Sequence, residues 1–253
     1  MDTARVNHVT LSKRMSAVAA MVTPGRIVAD IGCDHGFVSI YLIEQNIALR
    51  VIAMDVNEGP LLRAKEHVKR QGLDNKIDIR KSDGLEKLNF VAEGILEAST
   101  AVIAGMGGRL MVKILSDYMD KLQAVRELIL EPQSDLPLVR EFLWKNGFVI
   151  FKEDMVEEEG KYYQIIKAVK RGTISYEDPY TEYLVPDVLA AKYGPILLGE
   201  AHPVMKEYLL REKNKYEEIK QQMITNGIDE TSEKMQDVNE KARMIKKALL
   251  FFV

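Results

Sequence analysis

Asp30-Ile31-Gly32-Cys33-Asp34-His35-Gly36 stands between a short apolar run at residues 26–31, opened by Pro24-Gly25, and a helical pattern at 37–45. Glycines at a strand-to-helix turn let a ligand approach the backbone, and the following helix start offers N–H groups without intrahelical partners. Taken alone, the stretch is equally a tight turn that needs small residues. Its surroundings decide between the two.

Working outward, strand-like segments at residues 50–55, 77–81, 100–104 and 127–131 alternate with helical ones at 60–71, 110–121 and 136–146. Strands separated by helices of 10–15 residues imply βαβ units and a parallel sheet. Two further strands at 148–156 and 162–169 are joined by Glu157-Glu158-Glu159-Gly160-Lys161. That turn is too short for a parallel crossover, so the pair is antiparallel. Five parallel strands followed by an antiparallel hairpin predict an α/β fold. It is similar to the Rossmann-like sheet of class I S-adenosylmethionine methyltransferases, in which the last strand inserts beside the fifth.

Four groups fall at carboxyl ends of successive strands, on the rim where open α/β sheets bind ligands. The first is the opening stretch. Asp55 ends the second strand, where an acid can accept hydrogen bonds from both hydroxyls of a ribose. Ser82-Asp83-Gly84 ends the third, where an acid can take an adenine amino group. Gly105-Met106-Gly107-Gly108 ends the fourth, where a transferred group and its acceptor should meet. A dinucleotide site requires Gly-x-Gly-x-x-Gly beneath its pyrophosphate. Here Asp34 takes the place of a middle glycine, and its carboxylate would repel a pyrophosphate. S-adenosylmethionine carries no phosphate, and its ammonium and sulfonium suit Asp30 and Asp34.

Composition sets the outer bounds. The chain has 253 residues, 47% hydrophobic and 29% charged, which excludes a collagen, a long disordered tail and a disulfide-stapled miniprotein. The longest uncharged runs, residues 15–25 and 98–108, are 11 residues each, against the roughly 20 apolar residues that span a bilayer. With no apolar signal core at the N-terminus and one cysteine, Cys33, the expectation is a cytoplasmic protein without a membrane partner. No Cys-x-x-Cys or His-Glu-x-x-His spacing occurs, so no metal is expected. Net charge is −3, and no overall basic field announces a nucleic acid.

Residues 1–174 form the expected sheet domain and residues 175–253 a separate tail. The tail begins as a linker with short helical pieces around Pro179, Pro186, Pro195 and Pro203. It then places Met205, Leu209, Glu212, Tyr216, Ile219 and Met223, and after Asn226-Gly227 Met235, Val238, Ala242, Ile245, Leu249 and Phe252, at alternating steps of three and four. Those steps predict an antiparallel coiled-coil hairpin, with Glu212 as a flaw in its seam. Docking of both seams on another chain is the alternative. A monomer or weak dimer is expected.

DIGCDHG, preceded by LSKRM and followed by AGMGGRL, LILEPQ and EEEGKYYQI, resembles the bacterial tRNA adenine-N1 methyltransferases that modify position 22. The resemblance runs over nearly the whole chain, with Gly36 where that family often has alanine. It implies S-adenosylmethionine as cofactor and tRNA as partner. It also implies Asp30, Gly32, Cys33, Asp34, His35 and Gly36 around the methionine end, Asp55 and Asn57 at the ribose, and Ser82, Asp83 and Gly84 around the adenine. Gly105, Met106, Gly107 and Gly108 would lie beside the methyl group. Adenine N1 has a free lone pair at neutral pH and needs no general base. The Asp/Asn-Pro-Pro-aromatic sequence common in adenine-N6 methyltransferases is absent after the fourth strand.

Asp34, His35 and Gln133 are the catalytic candidates. His35 can orient the cofactor or simply start a helix, and Gln133 can read an adenine edge or be a loop amide. Tyr162, Tyr163 and Trp144 are possible stacking platforms for a splayed base, against core packing at each. The rival reading is a class I methyltransferase of a small molecule or protein, with the coiled coil as a dimerisation arm.

Overall fold

The computed structural model describes residues 8–172, 185 and 187–253. Five parallel strands, β1 (Arg26–Ile31), β2 (Ala48–Asp55), β3 (Ile77–Lys81), β6 (Thr100–Met106) and β7 (Glu127–Pro132), join the antiparallel pair β8 (Phe148–Glu158) and β9 (Lys161–Lys170) in one sheet. Its order is β3-β2-β1-β6-β7-β9-β8. The last strand sits beside the fifth parallel one, with Leu128 opposite Ala168. The turn that closes β8 onto β9 has Glu159 at φ 52° and Gly160 at φ 75°, the left-handed pair that a two-residue hairpin requires.

Helices α2 (Phe37–Glu44), α3 (Glu58–Arg70), α4 (Gly108–Asp117), α5 (Met119–Ala124) and α6 (Leu136–Lys145) follow the strands. The central strands therefore read as unbroken apolar runs: Val51 to Met54 and Leu128 to Leu130 are buried throughout. Strand order reverses beside β1, whose neighbours are β2 and β6. The two strands stay paired to Ile31 and Ile103, and the connections that leave their carboxyl ends diverge and open a crevice. Arg140 of α6, fully buried, donates to Glu153 Oε1 (2.9 Å) and Gln164 Oε1 (2.5 Å), tying α6 to the β8–β9 pair.

Three elements escape the sequence reading. Helix α1 (Lys13–Ala20) is one short amphipathic stretch capped by Ser12, whose Oγ accepts the Met15 N–H. The ribbon β4 (Phe90–Ala92) and β5 (Ile95–Leu96) is too short to show a period. The single helix expected over 110–121 divides at Tyr118, whose φ of −128° and ψ of 55° break the helical path between α4 and α5.

The chain divides into two compact units, Met1–Asp178 and Pro179–Val253. The break expected at residue 174 lies outside the described residues. In the second unit, α7 (Asp187–Tyr193) and α8 (Pro195–Gly199) precede the long helices α9 (Pro203–Thr225) and α10 (Glu233–Leu249). These two run antiparallel: Lys206 Nζ donates to Phe252 O, and Lys241 Nζ lies 6.0 Å from the Tyr216 ring. The buried stripe of α10 is wider than the heptad seam, since Met244 and Ala248 join Met235, Val238 and Ile245. Helix α7 also packs on α10, so a two-helix seam does not account for the whole face.

Candidate active site

The chain leaves β1 by folding over the end of β2. Gly32 and Cys33 both donate their N–H groups to Met54 O, at 2.8 and 3.0 Å. Gly32 has φ +73°, and a Cβ there would lie 2.0 Å from Met106 Cε, so the β1–α2 and β6–α4 turns meet at this glycine. Gly36, at φ +75°, caps α2 and faces Ala64; a Cβ there would stand 3.2 Å from the Ala64 Cβ.

Between these turns is a cavity of about 510 Å³, within the range of small-molecule and cofactor sites. Asp30, Gly32, Cys33, Asp34, His35 and Asp55 form one side of it, and Gly105, Met106 and Gln133 another. The expected cofactor and acceptor groups of β1, β2 and β6 are thus brought together. Asn57, Ser82, Asp83 and Gly84 lie on the same strand-end rim but not in the cavity wall. Ser82 N–H donates to Asp55 O (2.9 Å), which keeps the β3 turn beside Asp55. Gly36 and Gly107 cap α2 and α4 and also stand outside the wall.

The cavity is electronegative. Asp30 is buried and accepts the Ser39 hydroxyl at 2.6 Å. Burial pushes its carboxyl up to about 6, with Asp55 nearby adding to the shift. Asp55 accepts the N–H groups of Asn57 (2.8 Å) and Asp34 (3.3 Å), so its orientation is fixed from both turns. Burial pushes the Cys33 thiol upward, with Asp30 adding to the shift, and keeps it from serving as a thiolate nucleophile. Asp34 Oδ1 lies 3.5 Å from His35 Nε2. The His35 ring packs on Phe37 and Phe37 on His67, with centroids 5.8 and 4.8 Å apart.

Sequence reasoning missed the wall contributed by the N-terminal segment, where Thr10, Leu11, Ser12, Arg14 and Met15 line the cavity. It also missed Glu131, which is fully buried at the end of β7. Glu131 Oε2 accepts from Arg14 Nη1 and from Gly105 N–H, each at 2.8 Å. Burial pushes this carboxyl upward, against the pull of Arg14. Arg14 is the single Lys or Arg among the described residues of the cavity wall, and it is already paired. Three aspartates facing one neutralised arginine suit a cationic ligand and would repel a pyrophosphate.

Residues 11–166 match the family model of the methyltransferase domain. Over 248 residues the chain is 32% identical to the tRNA (adenine(22)-N(1))-methyltransferase of Bacillus subtilis, covering 96% of this chain and 99% of that one. The chain belongs to this methyltransferase family. The solved structure of the M1A22 tRNA methyltransferase of B. subtilis matches with a TM-score of 0.79 and 29% identity, over 95% of this chain and 99% of that one. A Streptococcus pneumoniae candidate tRNA (m1A22) methyltransferase, solved in complex with S-adenosyl-L-methionine, matches with a TM-score of 0.77 and 32% identity, over 95% and 100%. The matches to these family members take in the helical tail as well as the sheet. No group of three or more His, Cys, Asp or Glu placed to hold a metal occurs among the described residues, and none of their helices is long and apolar enough to cross a membrane.

Proposed function

We propose that this protein transfers the methyl group of S-adenosylmethionine to N1 of adenine 22 in tRNA. The observation that carries the proposal is the aspartate-walled cavity at the strand-order reversal, in a chain related to the family along nearly its whole length. When bound, the cofactor supplies an electrophilic methyl on a sulfonium centre. Asp30 and Asp34 would face its positive end and Asp55 would accept from the ribose hydroxyls, with Asn57 nearby; Ser82, Asp83 and Gly84, on the strand-end rim beside the cavity, would frame the adenine. Cys33, His35 and Gly36 complete the turn around the methionine end. Gly105 and Met106 would present backbone and thioether where the methyl meets the base, with Gly107 starting α4 behind them, and Gln133 would read an edge of the incoming adenine.

The N1 lone pair forms the new C–N bond while the C–S bond breaks. No proton is exchanged, and the positive charge ends on the base. Catalysis therefore rests on in-line placement and on acceptors around the developing charge. The protein is expected to work in the cytoplasm on tRNA, as a monomer or weak dimer. The direct test combines the protein with labelled S-adenosylmethionine and unmodified tRNA transcripts, followed by digestion to nucleosides. N1-methyladenosine is the expected product. Cofactor binding without methyl transfer would leave the fold standing and overturn the substrate.

In this reading residues 1–174 carry the chemistry and residues 175–253 grip the tRNA body. Lys246 and Lys247 of α10 are both exposed. Reversing both charges, K246E/K247E, is expected to weaken tRNA binding about tenfold and flatten its salt dependence, with cofactor affinity unchanged. Titration of each ligand at two salt concentrations checks it. Unaltered tRNA affinity would remove α10 from the grip.

A further inference from the structure

Gly105 is the extra residue of a β-bulge. Along β6 and β7, Ala104 pairs with Glu131 and Met106 with Pro132, leaving Gly105 unmatched. Its φ of +75° suits glycine alone. Its N–H turns to a side chain, the buried carboxylate of Glu131, at 2.8 Å. Bulges at strand ends re-aim the residues beside them. This one stands in the cavity wall, since Ala104, Gly105 and Met106 all line it.

In a planar trans peptide the N–H and C=O point in opposite directions. With the Gly105 N–H aimed at Glu131, the Ala104 carbonyl is aimed away from it. Pro132, which follows Glu131 on β7, has no N–H to offer the ladder at this point. Glu131 itself is held by Arg14, and its second oxygen, Oε1, is buried without a partner among the described residues. A fully buried carboxylate carries a large desolvation cost unless hydrogen bonds offset it. Arg14 alone could pair with the carboxylate; the bond to Gly105 goes further and fixes a peptide in the cavity wall.

Resting on the reading of the site as an adenine-N1 methyltransferase, we propose that Glu131 is a positioning residue. Its carboxylate locks the Ala104–Gly105 peptide so that the Ala104 carbonyl accepts an amino N–H of the target adenine and faces the positive charge the base acquires. Glu131 touches neither cofactor nor base. Its effect passes through one peptide unit.

Glu131→Met replaces the carboxylate with an apolar side chain of similar length and no acceptor for Gly105. Glu131→Gln keeps an acceptor and loses the charge. Glu131→Asp keeps the charge and withdraws it by one methylene. For E131M the expectation is a kcat on tRNA about 100-fold lower, the scale of a misplacement of about 1 Å. The KM for S-adenosylmethionine stays within about threefold, and protection of the Gly105 amide against hydrogen exchange is lost. E131Q should recover most of both kcat and protection, and E131D should lose both in part. kcat and Gly105 protection must move together across the three variants. Either moving alone, neither moving in E131M, or a parallel loss of cofactor binding would overturn the proposal. Should E131M fail to fold, E131D carries the same test, and unchanged kcat and protection there would overturn it too. If the wild-type protein methylates no tRNA, the functional reading has failed, and the amide protection still decides whether Glu131 holds this peptide.

Discussion

Asp30→Asn is expected to make the ligand-free protein more stable at pH 8 and, at the same time, to weaken its hold on S-adenosylmethionine. The Asp30 carboxyl sits at about 6 in the folded chain, against an ordinary value of 3.8, because burial penalises its charged form. Between those two pH values the folded state holds a proton that the unfolded state has released. Stability therefore falls as pH rises through that window and stays lower above it. The distance between those two values corresponds to about 3 kcal/mol. Asparagine removes the ionisation and keeps an oxygen for the Ser39 hydroxyl, which now donates at 2.6 Å. For a chain of this size a gain of that order raises the melting temperature by roughly 6–12 °C, and the gain should fade at pH 5, where the wild-type carboxyl is already protonated. Cofactor binding reverses the preference. A cationic ligand favours the ionised carboxylate, so wild-type affinity should tighten as pH rises through 6. In D30N it should be weaker by at least tenfold at pH 8 and flat with pH. Melting curves and titrations at pH 5 and 8 test both halves. A variant no more stable than wild type at pH 8, or one that binds as tightly there, would show that Asp30 is not held at the expense of the fold for its ligand.

The tension at Asp30 explains why the β1–α2 turn was the most legible part of the sequence. A carboxylate near the end of an apolar strand, two residues before Gly32 and ahead of Asp34, has little structural reason to be there, and its cost points to a ligand. The sheet was legible for a related reason: residues 127–131 and 162–169 each declare a buried or half-buried strand, and the five-residue turn from Glu157 to Lys161 permits only antiparallel pairing. Glu131 was hidden by the same pattern. In Glu127-Leu128-Ile129-Leu130-Glu131 it reads as the polar end of a strand, and its partner Arg14 lies 117 positions away in the chain. No local period links the two. Arg14 gave no local sign of its pairing, because an eight-residue helix shows too few turns to declare which face it buries. The ring cluster of His35, Phe37 and His67 was invisible likewise, since it joins α2 to the far end of α3. In the tail, heptad steps located both helices correctly, but they carry no record of α7, whose packing widens the buried face of α10.

Gly108→Ala is expected to be the most damaging single methyl group that can be added to the Gly105-Met106-Gly107-Gly108 turn, and Gly107→Ala nearly silent. A Cβ at Gly108 would lie 2.4 Å from Ser134 O, 2.9 Å from Val139 Cγ2 and 3.1 Å from Asp135 O. Two of those three atoms are backbone, and backbone there has little room to retreat. Gly108 N–H donates to Ser134 O at 3.1 Å, and Gln133 N–H donates to Met106 O at 2.9 Å, so the β6–α4 and β7–α6 turns are laced together. Relieving the overlap means breaking that lacing, with a cost of about 3 kcal/mol and a melting temperature lower by roughly 6–12 °C. At Gly107 the backbone is extended, at φ −64° and ψ 143°, and the nearest atom to a new Cβ is the Ser134 hydroxyl at 3.2 Å, an exposed group that can give way at the cost of its exposed bond to Asp135. That substitution should stay within about 0.5 kcal/mol of wild type. The contrast reaches the chemistry, because the turn that G108A displaces carries Gln133 on one side and the Gly105 bulge on the other. G108A should therefore lose methyl transfer even at temperatures where it is fully folded, while G107A keeps it. If the two variants melt and turn over alike, the turns are separable, and the geometry that places Gln133 and Gly105 against one cavity is not held by their mutual packing.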